Sequence, residues 1–184
     1  AHSERVWSAR FSPDGSRLLT ASGRFIDDDR YLRREASDSE LGPPETSLQR
    51  DSPGEARIWD AKIGQLLLSL AHSNSVTCAE FSPDGRRIVT GSLDGTARVW
   101  DALAGRPITP FLQHETCVYT ALFSPDGRRI VTACADDTFT PGTARVWNAA
   151  TGQPVLPPIK HRVGVYGAAF SPNGKLLVTW DDSA

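Results

Sequence analysis

The strongest constraint on this 184-residue chain is a stretch of ten residues, FSPDGRRIVT, that occurs twice without change, at Phe81–Thr90 and Phe123–Thr132. A Ser-Pro-Asp-Gly or Ser-Pro-Asn-Gly turn that follows a phenylalanine occurs four times in all. The turns begin at Ser12, Ser82, Ser124 and Ser171, with spacings of 70, 42 and 47 residues. Recurrence at a period of about 40 residues indicates one supersecondary unit repeated along the chain.

Two further markers keep the same phase as these turns. The segments ARIWD, ARVWD and ARVWN occur at Ala56–Asp60, Ala97–Asp101 and Ala144–Asn148. Each of the four histidines lies nine residues before the phenylalanine of a turn; they are His2, His72, His114 and His161. Because one repeat position accounts for every histidine, we infer that the repeat extends over nearly the whole chain.

The local chemistry of one unit predicts four strands. Val76–Phe81 is short, apolar and rich in residues that favour strands, and the turn after it places Pro and Gly where a tight turn requires them. Arg87–Thr90 and Thr96–Trp100 predict the second and third strands. Pro107–Leu112 predicts an irregular outer strand, since proline is tolerated at sheet edges. The unit is therefore expected to be an antiparallel meander.

Together these markers resemble the WD-repeat β-propellers. The resemblance implies an all-β fold, a β-propeller segment with three four-stranded antiparallel blades and the first two strands of a fourth. The predicted units are 1–70, with an insertion at about 22–55, then 71–112, 113–159 and 160–184. Since closed propellers typically need four to eight blades, we expect part of a longer propeller of about seven blades. The style of the repeats is similar to that of the bacterial branch of the family.

The same resemblance implies a buried hydrogen-bond network in each unit, made by a histidine, a hydroxyl, a turn aspartate and a tryptophan. The two predicted sets are His72, Thr90, Asp94 and Trp100, and His114, Thr132, Asp136 (or Asp137) and Trp147. Histidine, hydroxyl and carboxylate also form catalytic triads, but a nucleophile belongs to a single exposed site. A set that recurs in every unit indicates a structural role, so no catalytic residue is predicted.

The first and last units depart from this pattern. The first has Thr20 and Trp59 after His2, but the insertion displaces its turn acid, and Asp51 is a possible substitute. The fourth has His161 and Thr179, and its Trp180 follows the threonine directly, so its network is expected to be incomplete.

A candidate partner surface follows the valine that begins each innermost strand. This position holds Trp7, Thr77, Tyr119 and Tyr166, and Leu93 and Ala135 are expected to flank it. By analogy with the family it lies at the rim of the central channel, and aromatic residues are enriched at interface hot spots. The alternative is that these rings pack only against neighbouring loops.

Both long insertions, within 22–55 and around 136–142, are expected on the same face as this surface. Each is either a solvated loop or a partner-recognition element. The Asp27–Asp29 run lacks the alternating ligands and glycine of a calcium loop. We therefore predict no metal and no cofactor.

Composition also gives no support to two classes of function, nucleic-acid binding and membrane spanning. A formal net charge of -2 gives no reason to expect a nucleic-acid partner, and no apolar run is long enough to span a membrane. Three cysteines without a CxxC spacing indicate free thiols in a reducing compartment, so we expect a cytoplasmic protein.

The predicted function is a non-catalytic protein-protein interaction scaffold. Its expected partners are other proteins, together with the remaining blades of the propeller or other copies of the chain. The alternatives are an enzyme or small-ligand binder that uses the mouth of the channel, and a purely architectural array.

Overall fold

A computed structural model describes residues 4–23, 53–135 and 141–181, which form fourteen strands. The first sheet contains β1 (Arg5–Phe11), β2 (Arg17–Gly23), β3 (Gly54–Asp60) and β4 (Leu66–His72). The second contains β5 (Val76–Phe81), β6 (Arg87–Ser92), β7 (Thr96–Asp101) and β8 (Leu112–Gln113). The third contains β9 (Cys117–Phe123), β10 (Arg129–Ala135), β11 (Thr143–Asn148) and β12 (Ile159–Lys160), and the fourth β13 (Val165–Phe170) and β14 (Leu177–Asp181).

Each sheet is an antiparallel meander in which strands pair in chain order. The predicted fold class is confirmed, with three four-stranded units and two strands of a fourth. The complete sheets end at His72, Gln113 and Lys160, one or two residues beyond the predicted boundaries at 70, 112 and 159. The first sheet extends because His72 still pairs with Gly54 across β3 and β4. The histidine of the second repeat therefore belongs to the outer strand of the preceding sheet.

The outer strand of the second sheet is shorter than the predicted Pro107–Leu112. It consists of the two residues of β8, preceded by an isolated bridge between Pro107 and Trp100. Proline has no backbone N–H for a regular ladder. The Thr109 hydroxyl instead accepts a hydrogen bond from the Val99 N–H over 3.1 Å. A side chain thus replaces part of the missing ladder.

The repeated turn is held by its own side chains. The Ser82 hydroxyl donates to Asp84 Oδ1 over 2.5 Å and accepts the Arg87 N–H over 2.9 Å. The Gly85 N–H donates to the Ser82 carbonyl over 2.8 Å, and Gly85 has a φ of 68°. Only glycine adopts such a φ without strain. The other three turns repeat these bonds, which explains why the four-residue motif is kept.

Successive sheets pack face to face, and their innermost strands contact one another. One apolar cluster joins the first and second sheets through residues such as Leu19 and Ile58 on one side and Phe81 and Ile88 on the other. A second cluster lies between the second and third sheets, and a third between the third and fourth. The core is therefore a series of interfaces between neighbouring sheets.

An arginine crosses each of these interfaces. Arg87, at the start of β6, donates through Nη2 to the Gly127 carbonyl of the next sheet over 2.7 Å. Its guanidinium carbon lies 5.4 Å from the centroid of the Phe123 ring. Arg17 contacts Gly85 and Phe81 in the same way, and Arg129 contacts Gly174 and Phe170. Each copy of the ten repeated residues thus carries the phenylalanine of one junction and the arginine of the next.

We predict that Arg87→Ala lowers the free energy of unfolding by about 1 to 2 kcal/mol, because it removes one hydrogen bond and one cation–π contact. Thermal melts of the wild type and the variant measure this loss. Arg86→Ala is the matched control, since Arg86 precedes Arg87 in the chain and its side chain is exposed. Equal melting temperatures for the two variants would contradict the assigned role of Arg87.

Candidate functional site

Four side chains meet at the junction of the first and second sheets. His72 ends β4, Thr90 lies in β6, Trp100 lies in β7 and Asp94 lies in the turn between β6 and β7. His72 Nε2 is 2.7 Å from Thr90 Oγ1, and Trp100 Nε1 donates to the same oxygen over 2.8 Å. Asp94 Oδ2 lies 3.2 Å from His72 Nδ1. The structure thus brings together the four residues of this predicted network.

The bonding pattern defines a direction for the protons. A carboxylate accepts, so His72 Nδ1 carries the hydrogen that it shares with Asp94. With a neutral imidazole, His72 Nε2 accepts from the Thr90 hydroxyl, whose oxygen accepts from Trp100. Each polar group has a partner, which is the condition for burying such a network at low cost.

The environment of this network favours a structural role over catalysis. Thr90 is 0% exposed and His72 is 4% exposed. A nucleophilic hydroxyl must reach a substrate atom, whereas the Thr90 oxygen is already covered by the Trp100 N–H and the His72 ring. The hydroxyl, imidazole and carboxylate are therefore the chemical groups of a catalytic triad, but the Thr90 hydroxyl is not accessible to a substrate.

The charge of Asp94 is stabilised by several donors. Burial acts to raise the pKa of this carboxyl, but hydrogen bonds from His72, Thr96 and Ser73 outweigh burial and hold the pKa well below its ordinary value. The Thr96 hydroxyl donates over 2.6 Å, and the Ser73 N–H donates over 3.1 Å. Asp94 thus ties the end of β4 to the turn that begins β7.

We predict that Asp94→Ala lowers the melting temperature, because it leaves the His72 N–H and neighbouring donors without their acceptor. The expected loss is about 1 to 3 kcal/mol. Differential scanning calorimetry of the variant and the wild type measures it. Glu115→Ala removes an exposed carboxylate nearby and serves as the control. An unchanged melting curve for Asp94→Ala would refute the network as a source of stability.

The third sheet carries a second set. His114 Nε2 lies 2.8 Å from Thr132 Oγ1, and Trp147 Nε1 donates to that oxygen over 2.7 Å. The predicted acid, Asp136, lies outside the described residues, and among the described residues His114 Nδ1 has no hydrogen-bond partner. Burial, with a smaller contribution from the Arg145 charge, lowers the pKa of His114 to about 3.

We predict an acid-sensitive stability from His114. The folded protein keeps this imidazole neutral down to a pKa of about 3, whereas the unfolded chain takes up the proton near its ordinary value of 6.5. Between these values, the free energy of unfolding should fall by about 1.4 kcal/mol for each unit of decrease in pH. Urea unfolding at a series of pH values measures the slope. His114→Gln keeps an acceptor for the Thr132 hydroxyl and should flatten the dependence of the unfolding free energy on pH. Equal slopes for the wild type and the variant would contradict the assignment of this dependence to His114.

The set in the fourth sheet includes an acid that was not predicted. In the fourth sheet His161 Nε2 lies 2.9 Å from Thr179 Oγ1, and His161 Nδ1 lies 2.7 Å from Asp181 Oδ2. Asp181 therefore supplies the acid that the sequence pattern missed, because it stands two residues after the threonine, whereas Asp94 stands four after Thr90. The signal in the sequence was this acid itself, at a spacing of two residues from the threonine where the second unit has four.

In the first sheet, Trp59 Nε1 donates to Thr20 Oγ1 over 2.8 Å, as in the other sets. The predicted partners His2 and Asp51 lie outside the described residues.

A second group of residues shares a backbone irregularity. In each innermost strand the pairing register with the second strand shifts by one residue, so that consecutive residues of the second strand pair with the residues on either side of one position. The skipped residues are Trp7, Thr77, Tyr119 and Tyr166. Such β-bulges re-aim a side chain and recur near functional sites. These four residues, here called the bulge row, are the same four that the sequence marked as a partner surface.

Members of the bulge row are half-buried and are linked to their neighbours. The rings of Tyr119 and Tyr166 have centroids 5.5 Å apart and are tilted by 54°. Thr77 Oγ1 donates to the Val118 carbonyl of the next innermost strand over 2.6 Å. The Arg5 guanidinium lies 5.2 Å from the centroid of the Trp7 ring. The row is therefore linked from the second sheet to the third and from the third to the fourth, whereas the contact of Trp7 with Arg5 lies within β1.

The predicted flanking residues behave differently from each other. Leu93 is half-buried in the turn after β6, while Ala135 is 0% exposed at the end of β10. Ala135 pairs with Cys117 across the sheet and offers no surface, so we leave it out of the candidate site. The long connections leave β2 and β10 at the edge where the bulge row lies, but residues 24–52 and 136–140 are outside the described part of the chain.

A pocket of about 220 Å³ lies at the opposite ends of the innermost strands, beside the repeated turns. Arg10 and Glu80 occupy equivalent repeat positions in its wall. Glu80 Oε2 accepts the Phe123 N–H over 3.0 Å, and burial raises the pKa of this carboxyl. One carboxylate oxygen is thus already used within the fold.

Within residues 4–23, 53–135 and 141–181, no group of three or more His, Cys, Asp or Glu side chains is placed to hold a metal ion. No helix in the described part of the chain is long and apolar enough to cross a membrane.

Comparison with known proteins agrees with this architecture. A WD40 family model, described as "WD domain, G-beta repeat", matches residues 1–33, 64–101 and 105–148. The chain is 29% identical to serine-threonine kinase receptor-associated protein of Dictyostelium discoideum over 61% of its length, and 30% identical to WD repeat-containing protein 1 of Gallus gallus over 60%. It spans 28% and 14% of these relatives.

Among solved structures, the crystal structure of the computationally designed Ika4 protein superimposes with a TM-score of 0.69 at 22% identity. The match covers 98% of this chain and 92% of that protein. At this identity the likeness supports the fold alone.

Proposed function

The chain belongs to the WD40 repeat family, and we propose on that premise that it is a non-catalytic scaffold that binds protein partners through the bulge row. The name of the Dictyostelium relative records association with another protein, a kinase receptor, which supports a role in protein binding. We propose the activity and the partners of the whole protein and do not take them from the relatives, because the chain spans less than a third of the length of each.

One observation carries the assignment of the surface. The bulge is kept in all four innermost strands, while the residue on it changes from Trp7 to Thr77 to Tyr119 to Tyr166. A position needed only for packing between repeats would favour one residue, as the turn does. Constant backbone geometry with varied, mostly aromatic side chains fits recognition of an asymmetric protein surface.

The alternative functions have less support. A ligand site at the mouth of the channel needs convergent polar groups that do not repeat, and Arg10 and Glu80 meet only part of this requirement. An architectural array explains the interfaces between sheets but gives no reason for aromatic residues on the bulges.

We also propose three broader properties of this scaffold. The scaffold is part of a propeller of about seven blades, it has the bacterial type of WD repeat, and it acts in the cytoplasm without nucleic-acid or membrane partners. Cys78, Cys117 and Cys134 form no disulfide with one another, which supports a reducing compartment. The bacterial assignment rests on the style of the repeats, because the relatives named above are eukaryotic.

We predict that the triple variant Trp7→Ala, Tyr119→Ala and Tyr166→Ala loses protein binding by about tenfold or more, since interface aromatics dominate binding energy. Affinity capture from the organism that carries the gene, quantified by mass spectrometry, measures the retained partners. Melting curves check that the variant still folds.

The matched control removes three exposed apolar side chains from the outer turns. It combines Ile63→Ala, Leu103→Ala and Leu156→Ala. If the bulge-row variant captures its protein partners as well as this control does, the proposed surface is wrong. Loss of a turnover activity in place of binding would favour the enzyme.

A further inference from the structure

The fourth repeated turn differs from the other three at its third residue. Its sequence is Ser-Pro-Asn-Gly, so Asn173 stands where each of the other turns carries an aspartate. Those aspartates are Asp14, Asp84 and Asp126. The backbone of the fourth turn is the same as in the others, because the Gly174 N–H donates to the Ser171 carbonyl over 2.8 Å and Gly174 has a φ of 67°. One constant geometry therefore holds a carboxylate in three copies and a neutral amide in the fourth.

The donors around this position favour a carboxylate. In the second turn, Asp84 Oδ1 accepts the Ser82 hydroxyl over 2.5 Å. In the fourth turn, Asn173 Oδ1 accepts the Ser171 hydroxyl over 2.8 Å and the Lys175 N–H over 3.0 Å. Hydrogen bonds to a charged acceptor are shorter and stronger than those to a neutral one. The amide thus occupies a set of donors that a carboxylate uses better.

The three aspartates show how these donors act on a charge. Hydrogen bonds from Ser12 and Ser16 lower the pKa of the Asp14 carboxyl to about 2. A hydrogen bond from Ser124 likewise lowers the pKa of the Asp126 carboxyl. Both carboxylates are exposed, so the donors of the turn stabilise their charge without any need for burial. An aspartate at position 173 would meet the same donors.

Asn173 is also the asparagine of this chain that is best placed to react. Deamidation begins when the backbone nitrogen of the next residue attacks the side-chain amide carbon, and glycine has no Cβ to hinder that approach. Asn173 is exposed and precedes Gly174. The other two asparagines precede residues that carry a Cβ and are 0% exposed, namely Ser75 after Asn74 and Ala149 after Asn148.

We propose that Asn173 is a site of spontaneous deamidation, restrained by the closed turn, and that its aspartate product completes the carboxylate turn of the other repeats. The Gly174 nitrogen loses its proton to solvent and bonds to Asn173 Cγ, and the amide nitrogen leaves as ammonia. Water then opens the cyclic imide to aspartate or isoaspartate. The net change consumes one water and releases one ammonium ion as the carboxylate forms, and it is independent of partner binding at the bulge row.

The closed turn restrains the reaction because it engages both reacting groups. The Gly174 N–H is bonded to the Ser171 carbonyl, and the Asn173 amide oxygen is held by its two donors. The turn must therefore open before the nitrogen can attack. After conversion, the aspartate resists a second attack, since a carboxylate carbon is a poorer electrophile than an amide carbon. Isoaspartate adds a methylene group to the main chain, so its carboxyl does not meet these donors.

The first test follows the three asparagines in the full chain. The folded protein is incubated at mildly alkaline pH, and peptide mapping by mass spectrometry measures the conversion of each amide to an acid. Asn173 should convert while Asn74 and Asn148 stay intact. In denaturing urea at the same pH, Asn173 should react about tenfold faster or more, because the hydrogen bonds that restrain it are lost.

The second test measures the fit of the product. Asn173→Asp should raise the melting temperature by about 2 °C, because two neutral hydrogen bonds become charge-assisted. Asp84→Asn is the reciprocal control: it should lower the melting temperature by a similar amount and create a second reactive asparagine before Gly85. Asn173→Ser keeps a neutral acceptor without an amide, so it should neither gain stability nor react at this position.

Any of three results would overturn the proposal. If Asn173 converts no faster than Asn74 and Asn148 in the folded chain, it is not a deamidation site. Equal rates in the folded and the denatured chain would show that the turn does not restrain the reaction. If Asn173→Asp melts at or below the temperature of the wild type, the turn does not favour a carboxylate at this position.

Discussion

The packing of one sheet face against the next is the constraint on which the rest of this structure depends. Each complete inner sheet is apolar on both faces, so it cannot exclude water from both unless a neighbour stands on each side. The arginine that crosses each junction makes this packing orientation-specific, because it donates a hydrogen bond to the glycine carbonyl of the next repeated turn. Neighbouring sheets are thereby held in one register.

The polar networks strengthen the same junctions. His72 belongs by pairing to the outer strand of the first sheet, yet it bonds to Thr90 in the second. The network thus closes the outer part of an interface whose inner part is apolar. This differs from the view that the sequence suggests, in which histidine and threonine belong to one unit. The repeat in the sequence is offset from the sheet in space, so that each copy contributes to two neighbouring sheets.

The positions to which we assign partner binding are ones where the copies differ. Turn residues, threonines and tryptophans are kept because each meets the same neighbours in every copy. The bulge row keeps its backbone and varies its side chains. In a repeat protein a varied side chain in a constant setting is the informative signal, since the fold itself does not require it.

The sequence by itself determined the all-β class and the strand-turn-strand order, because these depend on short spacings and on residues with strong local preferences. The set of His72, Thr90, Asp94 and Trp100 followed from the family resemblance that the repeats carry. Tertiary structure alone decided what depends on pairing or on the next copy. The bulges exist only in the register between two strands, and Asp181 replaces the turn acid only because β14 brings it to His161. Ala135 is buried because of its neighbours across the sheet. Arg87 and Phe123 are 36 residues apart, and no local pattern predicts that they touch. The contact exists because the sheets pack face to face.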